Sequence, residues 1–239
     1  LLGTKGTLPV VVDLMTSRCA SEAMAVYQFK NNELQKPYFE YEREEADADF
    51  KSAYLADELK KRNQFLLDQL NSSNDSIQKL VRVNKQILYK ELKNEKFTIG
   101  LPPNDLKEVF VKNGYTERIG NELDRYFDAY KKHYQKSYNR NAELIEKKMA
   151  FYETNGFDIQ QEKNSYFNES LSDLVRNINT KERIMEYKGN LIQMINPVFQ
   201  SPKPRHIVDY RASFFIAEKN LIGTTISTYS FNLLVIWTL

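Results

Sequence analysis

Residues 116–154 constrain this chain more than any other stretch. Ile119, Leu123, Tyr126, Phe127, Tyr130, Tyr134, Tyr138, Ile145 and Tyr152 recur at steps of three, four and seven residues, with Tyr126 and Phe127 side by side. That spacing predicts one amphipathic helix, stopped by Asn155-Gly156. Such a helix approaches roughly 60 Å at 1.5 Å per residue, so a partner of comparable length must cover its stripe. Residues 53–94 are the natural candidate. Leu55, Leu59, Leu66 and Leu70 mark one amphipathic helix there; Ile77, Leu80, Val81, Ile87 and Leu88 mark a second, ending near Asn94. "NSSND" breaks the two apart and can cap the second. Tyr 15 and Phe 14 against Gly 8 and Pro 7 describe a chain with few turns and much aromatic packing. The expectation is a mainly α fold of long antiparallel helices.

The flanks read as follows. "TSRCASEAMAVYQFKNNE" predicts a helix capped by Thr16 or Ser17, with Ala20, Ala23, Met24, Tyr27 and Phe29 inward. "YEREEADAD" (41–49) reads as solvated. "GLPPND" (100–105) is a loop, because Pro102 and Pro103 cannot both sit inside a helix. Two shorter helices are expected near 158–178 and 180–195, the second ended by Pro197, then an extended connection through "QSPKPRHIVDYRASFF". The final run, "IGTTISTYSFNLLVIWTL", reads as the first part of a membrane-spanning helix, with Tyr229 and Trp237 of the interfacial type. The alternative is a buried C-terminal core helix. Leu233 to Trp237 shows no polar face, which favours the membrane reading. The opening "LLGTKGTLPVVVDLM" has no charged segment ahead of an apolar one and so is not a signal peptide. Both ends read as cuts through a longer protein.

The chemistry offered is sparse. A net charge of +2 gives no field for nucleic acid, so no nucleic-acid partner is expected. His133 and His206 lie at no ligand spacing from Cys19 or each other, which argues against zinc. No "GxSxG" supports a hydrolase, and "GTKGT" lacks the order of a phosphate loop. "DADF" lacks the glycine of a calcium loop. The fragment is therefore expected to be non-catalytic, with no metal or cofactor of its own. Tyr126, Tyr130, Tyr134 and Tyr138 form a ladder at four-residue spacing, a candidate aromatic contact face. Such rows more often pack helix against helix. Arg18 and Glu22 stand one turn apart and form a candidate polar pair at a membrane boundary, where an unpaired carboxylate is costly.

"LPVVVDLMTSRCASEAMAVYQFKNNELQKPYFEYE" resembles the segment after the fifth transmembrane helix of ABCG-like ABC transporters of Bacteroidetes-type bacteria. Their motif P-S-R-W-A-x-E-A stands here as Thr16-Ser17-Arg18-Cys19-Ala20-Ser21-Glu22-Ala23, with Thr for Pro and Cys for the aromatic. Residues 168–202 and 210–237 are similar to the same family; 50–160 share only helicity. The resemblance implies a region joining the fifth and sixth spans, outside the cytoplasm. Residues 1–35 would be a membrane-proximal or re-entrant segment and first helix. Residues 36–218 would be an extracytoplasmic helical domain on the periplasmic side of the bacterial inner membrane, and 219–239 the start of a transmembrane helix. It also implies a parent protein with a nucleotide-binding domain using ATP and Mg, often with forkhead-associated modules. Partners would be lipid at both ends, the rest of the permease and a second transporter subunit. Lys203, Arg205, Arg211 and Lys219 before the last span pull the other way, but that rule is weak for loops longer than about 60 residues. Two readings from other classes compete: a helical sensor domain of a membrane receptor, and a soluble helical scaffold. The transporter reading requires residues 1–14 and 221–239 to return to one end of the structure.

Overall fold

The computed structural model describes residues 15–94, 106–112, 114–187, 189–201, 215–221 and 223–238. The fold is mainly helical, with two small two-stranded sheets among the described residues. Helices α1 (Thr16–Lys30), α2 (Phe39–Phe50), α3 (Ala56–Asp68), α4 (Asp75–Asn94), α5 (Leu106–Phe110), α6 (Glu117–Thr154), α7 (Ile159–Tyr166) and α8 (Glu169–Arg176) precede strands β1 (Ile184–Tyr187) and β2 (Asn190–Gln193). A 3₁₀ turn (Pro197–Phe199), strands β3 (Glu218–Leu221) and β4 (Thr224–Ser227), and helix α9 (Thr228–Thr238) complete the order. The chain divides into two compact units: the described residues within 1–47, 138–185 and 193–239, and those within 48–137 and 186–192.

In the second unit one part of the expected packing is present: α3 lies antiparallel to the near part of α6, while the expected cover of the whole of 116–154 by 53–94 is corrected, since residues 138–154 belong to the first unit. Asp57 meets Lys131, Lys60 meets Asp124 and Asp128, and Asn63 donates to the Gly120 carbonyl at 2.8 Å. Numbers rise along α3 as they fall along α6, so the helices are antiparallel. Leu59 and Leu66 of α3 and Leu123, Phe127 and Tyr130 of α6 are all buried. Gly120 is where α6 comes closest: a Cβ there would fall 2.4 Å from Leu67 Cδ2 and 2.7 Å from the Tyr115 hydroxyl. Helix α4 folds back beside α3, where Arg62 donates to Asn84 at 3.0 Å. Its start is capped as expected, by the Asn74 side chain accepting from the Ser76 and Ile77 amides.

Helix α2 runs without a break through a π-helical turn (Lys51–Leu55) into α3, so the acidic run is helical. Only part of it is solvated. Ala46 and Ala48 are buried, and both Glu42 carboxylate oxygens accept from Gln35 Nε2.

The first unit has its own core of Val26, Phe29, Phe39, Ala46, Val175, Val198, Phe199, Phe215 and Ala217. In it the far part of α6 packs on the segment before α2: Lys148 donates to the Pro37 carbonyl at 2.6 Å, and the Tyr38 and Tyr152 rings meet edge-on at 6.1 Å.

Two expectations on secondary structure are corrected. The helix expected at 180–195 is the β1–β2 hairpin. Asn177 ends α8 in the left-handed region at φ 50°, donating its side chain to the Met194 carbonyl, and Gly189 at φ 69° makes the turn. Short apolar runs carry no decisive period, and here the tight turn wins. The helix expected across the final run begins only at Thr228; residues 218–227 are the β3–β4 hairpin, turning at Gly223 with φ 80°. Residues 1–14, the loop at 100–105 and most of the connection before Phe215 lie outside the described residues.

Candidate functional site

Helix α1 begins at Thr16 with Met15 as its cap residue and no side-chain cap, so Thr16 and Ser17 lie within the helix. Its inward face is rotated from the expected stripe. Cys19, Glu22, Ala23, Val26 and Phe29 are buried, while Met24 is 69% and Tyr27 49% exposed. A carboxylate has replaced two large apolar side chains on the inside. Burying a charge costs several kcal/mol unless it is paired and hydrogen-bonded, so the partners of Glu22 are decisive.

They come from three other segments. Lys219 of β3 donates to Glu22 Oε2 at 2.8 Å, and Asn232 of α9 donates through Nδ2 to the same oxygen at 2.8 Å. The Phe215 amide donates to Glu22 Oε1 at 3.2 Å. Asn232 is shared further: Nδ2 also reaches the Cys19 carbonyl at 3.1 Å, and Oδ1 accepts from Lys219 at 3.4 Å. The Lys219 ammonium lies 5.4 Å from the Phe231 ring centre. Lys219 and Glu22 are both buried, with side chains 6% and 4% exposed. Sequence reasoning singled out Glu22 but gave it the neighbour one turn away, Arg18. The cation on its carboxylate is Lys219, 197 positions along the chain, a pairing that no local spacing encodes.

The strand bearing Lys219 is fixed by its neighbour. Glu218 takes Lys30 and Arg43 at 3.2 Å each, so α1 and β3 exchange two ion pairs of opposite polarity, Glu22 with Lys219 and Lys30 with Glu218. Successive strand residues point to opposite faces, which lets adjacent residues serve partners eight positions apart on α1. Phe215 has φ 74°, unusual for a residue with a side chain. Its amide given to Glu22 and its ring in the core hold it there.

Helix α9 completes the node and inverts the usual polarity. Its buried side chains are Thr228 and Asn232, whereas Tyr229, Leu233, Leu234 and Trp237 are exposed, Trp237 by 89%. The Tyr229 ring meets Tyr27 of α1 at 4.8 Å. Tyr27, in the last turn of α1, thus meets the first turn of α9, and Cys19, in the first turn of α1, meets Asn232 further along. The two helices run antiparallel, so the start of α1 and the end of α9 lie towards the same side.

The tyrosine ladder does not form one face. Tyr130 is 2% exposed, Tyr126 and Tyr134 are half-buried, and Tyr138 is exposed. Rings 126–130 and 130–134 lie 6.5 and 4.7 Å apart, and Lys51 donates to the Tyr134 hydroxyl while lying over its ring. This is packing between α6 and the π-helical turn. His133 is half-buried with its ring edge-on to Tyr134; His206 and the "GTKGT" segment lie outside the described residues. Among the described residues no three His, Cys, Asp or Glu side chains group to hold a metal ion, and no helix is long and apolar enough to cross a membrane. Compared with family models, curated proteins and solved structures, the chain matches none.

Proposed function

We propose that this chain is the helical, extracytoplasmic part of an ABC transporter membrane subunit, lying between its fifth and sixth spans on the periplasmic side of a bacterial inner membrane. It is non-catalytic in this reading, and serves to gate the outer mouth, contact a partner protein or receive exported substrate. ATP and Mg belong to the nucleotide-binding part of the parent protein. One observation carries the membrane placement: α9 turns its polar Thr228 and Asn232 inward and its Leu233, Leu234 and Trp237 outward. In water that order wastes apolar burial; beside lipid it is the favourable one, because polar side chains there face the protein interior and pair. The 11-residue α9 spans about 16 Å, roughly half of a hydrocarbon core of about 30 Å. Tyr27, Tyr229 and Trp237 are of the type that settles at membrane interfaces. The antiparallel seating of α1 and α9 supports the same reading, since both then open towards one surface.

Topology tests it. Cys19 is the single cysteine of these 239 residues and is buried, and labelling of the parent protein gives the background. A Lys132→Cys variant, exposed on α6, should react with a membrane-impermeant maleimide in intact cells making the full-length protein. Reaction only after the inner membrane is broken would refute the periplasmic placement.

A further inference from the structure

The turn after α6 and the outer side of α4 each expose apolar side chains, among charges of opposite sign. Between Lys148 and Lys163 there is no cation, and Glu153, Asp158 and Glu162 supply three acids. Between Asp75 and Glu91 there is no acid, and Lys79, Arg82, Lys85 and Lys90 supply four cations.

The turn holds its rings in a fixed place. Gly156, at φ 86°, donates its amide to the Glu153 carbonyl, and the Phe157 amide donates to the Tyr152 carbonyl, both at 3.0 Å. This pair of bonds closes a helix end and brings Phe157 onto Tyr152, with ring centres 5.7 Å apart. Phe151 meets the same ring at 6.0 Å. Helix closure accounts for Tyr152 and for the covered part of Phe157. It does not account for Phe151, 65% exposed, or for Phe157 being left 50% exposed. Past the turn, the Asp158 carboxylate accepts from the Gln161 amide at 3.0 Å. The backbone is thus tied on both sides of the rings, and a partner meets them without the cost of ordering them.

Helix α4 presents the complement. Lys79, Leu80, Arg82 and Val83 are exposed, at steps of three and four residues that set them on one side of the helix. Lys79 and Arg82 stand one turn apart with Leu80 and Val83 beside them, while Val81, Leu88 and Leu92 are buried.

We propose that these patches are the two halves of one contact between copies of this chain. The turn after α6 of one copy seats on α4 of another, with Phe151 and Phe157 against Leu80 and Val83 and Glu153 between Lys79 and Arg82. Charge complementarity selects a second copy as the occupant, since the chain itself carries both the acidic aromatic patch and the basic aliphatic one. An anionic lipid surface would suit α4 alone and would repel the turn. The joined patches are unlike, so the contact is head-to-tail. It is small, and therefore weak and sensitive to salt. Neither α1 nor α9 takes part, and the contact does not rest on the membrane placement.

Sedimentation equilibrium of the purified chain tests it, in a density-matched nonionic detergent that occupies the exposed side of α9. At low salt the mean mass should rise with protein concentration. It should return to that of one chain at about 1 M salt, where screening acts within about 3 Å. Glu153→Lys should weaken association about five- to tenfold, and so should Lys79→Glu made together with Arg82→Glu, because each sets like charges against one another. All three substitutions in one chain exchange the signs and should restore the association of the parent. Phe151→Ser should weaken it with every charge intact. The substituted side chains are all exposed, so the variants should keep the helical circular dichroism of the parent. A parent that stays at the mass of one chain at every concentration would overturn the proposal. Association unchanged by reversing either patch would overturn it too, as would a triply substituted chain that associates no better than the variants reversed on one patch.

Discussion

The near part of α6 and the whole of α9 are helices of opposite sense. On α6, Leu123, Phe127 and Tyr130 go in and Asn121, Arg125 and Asp128 stay out. On α9, Thr228 and Asn232 go in and Leu233, Leu234 and Trp237 stay out. The first is held by apolar area with ion pairs at its rim. The second is seated closely along α1 and fixed there by hydrogen bonds around one buried carboxylate. Similar helices therefore answer to different forces, and substitutions should separate them.

The largest effects fall at the centre of each. Phe127→Ala should cost about 3–5 kcal/mol, the usual loss for a buried aromatic ring. Lys219→Met should cost a similar ~3–5 kcal/mol, because it strands the Glu22 charge. The difference appears on adding Glu22→Gln to Lys219→Met: stability should return to near that of the parent, since a buried pair replaced whole is often neutral. No second change would rescue Phe127→Ala in that way. Denaturant unfolding of the three variants decides it. A double variant no more stable than Lys219→Met would show that the pair itself holds the unit together.

Next is Gly120→Ala. The added methyl must displace Leu67 or the Tyr115 hydroxyl, and Tyr115 donates to Asn63 Oδ1 at 2.7 Å. Overpacking of this kind should cost about 1–3 kcal/mol. Burial holds the Tyr115 phenol well above its ordinary range, so it stays protonated as the donor this contact needs. A stable Gly120→Ala protein would mean that α3 and α6 are less closely seated than Asn63 and Gly120 imply.

These contrasts show what the sequence made legible. The extent of α6 followed from spacing, because a 38-residue helix repeats its period many times, and its stop from the residue types at Asn155-Gly156; of the expected partner, 53–94, only α3 is seen against its near part. The node did not follow from spacing, because Glu22, Lys219 and Asn232 meet only once the chain has folded. Glu22 itself was legible through its setting in the family-like motif; its partner was not. The rotation of α1 that leaves Met24 outside was likewise hidden, since periodicity assigns apolar residues to the inside by default. The hairpins at 184–193 and 218–227 were missed for a local reason: strands of four residues are too short to establish a period of two.

A smaller effect concerns Glu42. Burial is the largest influence on its carboxyl and raises its pKa, against the lowering from the Gln35 donor and from Arg176. A raised folded pKa means that the folded state holds the proton more tightly. Its contribution to stability is therefore full below the unfolded carboxylate's range and is lost as pH rises through the folded value. Glu42→Gln keeps an acceptor for Gln35 and should flatten that part of the pH–stability curve. Glu44→Ala, exposed on the same helix, should leave the curve as it is. Identical curves for Glu42→Gln and the parent would show that burial is not acting on this group.

The smallest expected change in stability is on the outer face of α9. Leu233→Ser and Leu234→Ser remove apolar surface that is already exposed, so each should stay within about 0.5 kcal/mol of the parent. The same chemistry at Leu123 of α6, which is buried, should be severe. If the α9 face meets lipid, the same variants should weaken association with vesicles in proportion to the apolar area lost, at about 25 cal/mol per Å². Trp237→Ser should weaken it most, because an aromatic ring presents the largest such area, ~150–250 Å². The two measurements answer different questions. Stability loss at Leu233 or Leu234 would mean that the face is covered within the chain. Unchanged stability with unchanged vesicle association would leave the inverted polarity of α9 to a protein partner, and the lipid placement would fail.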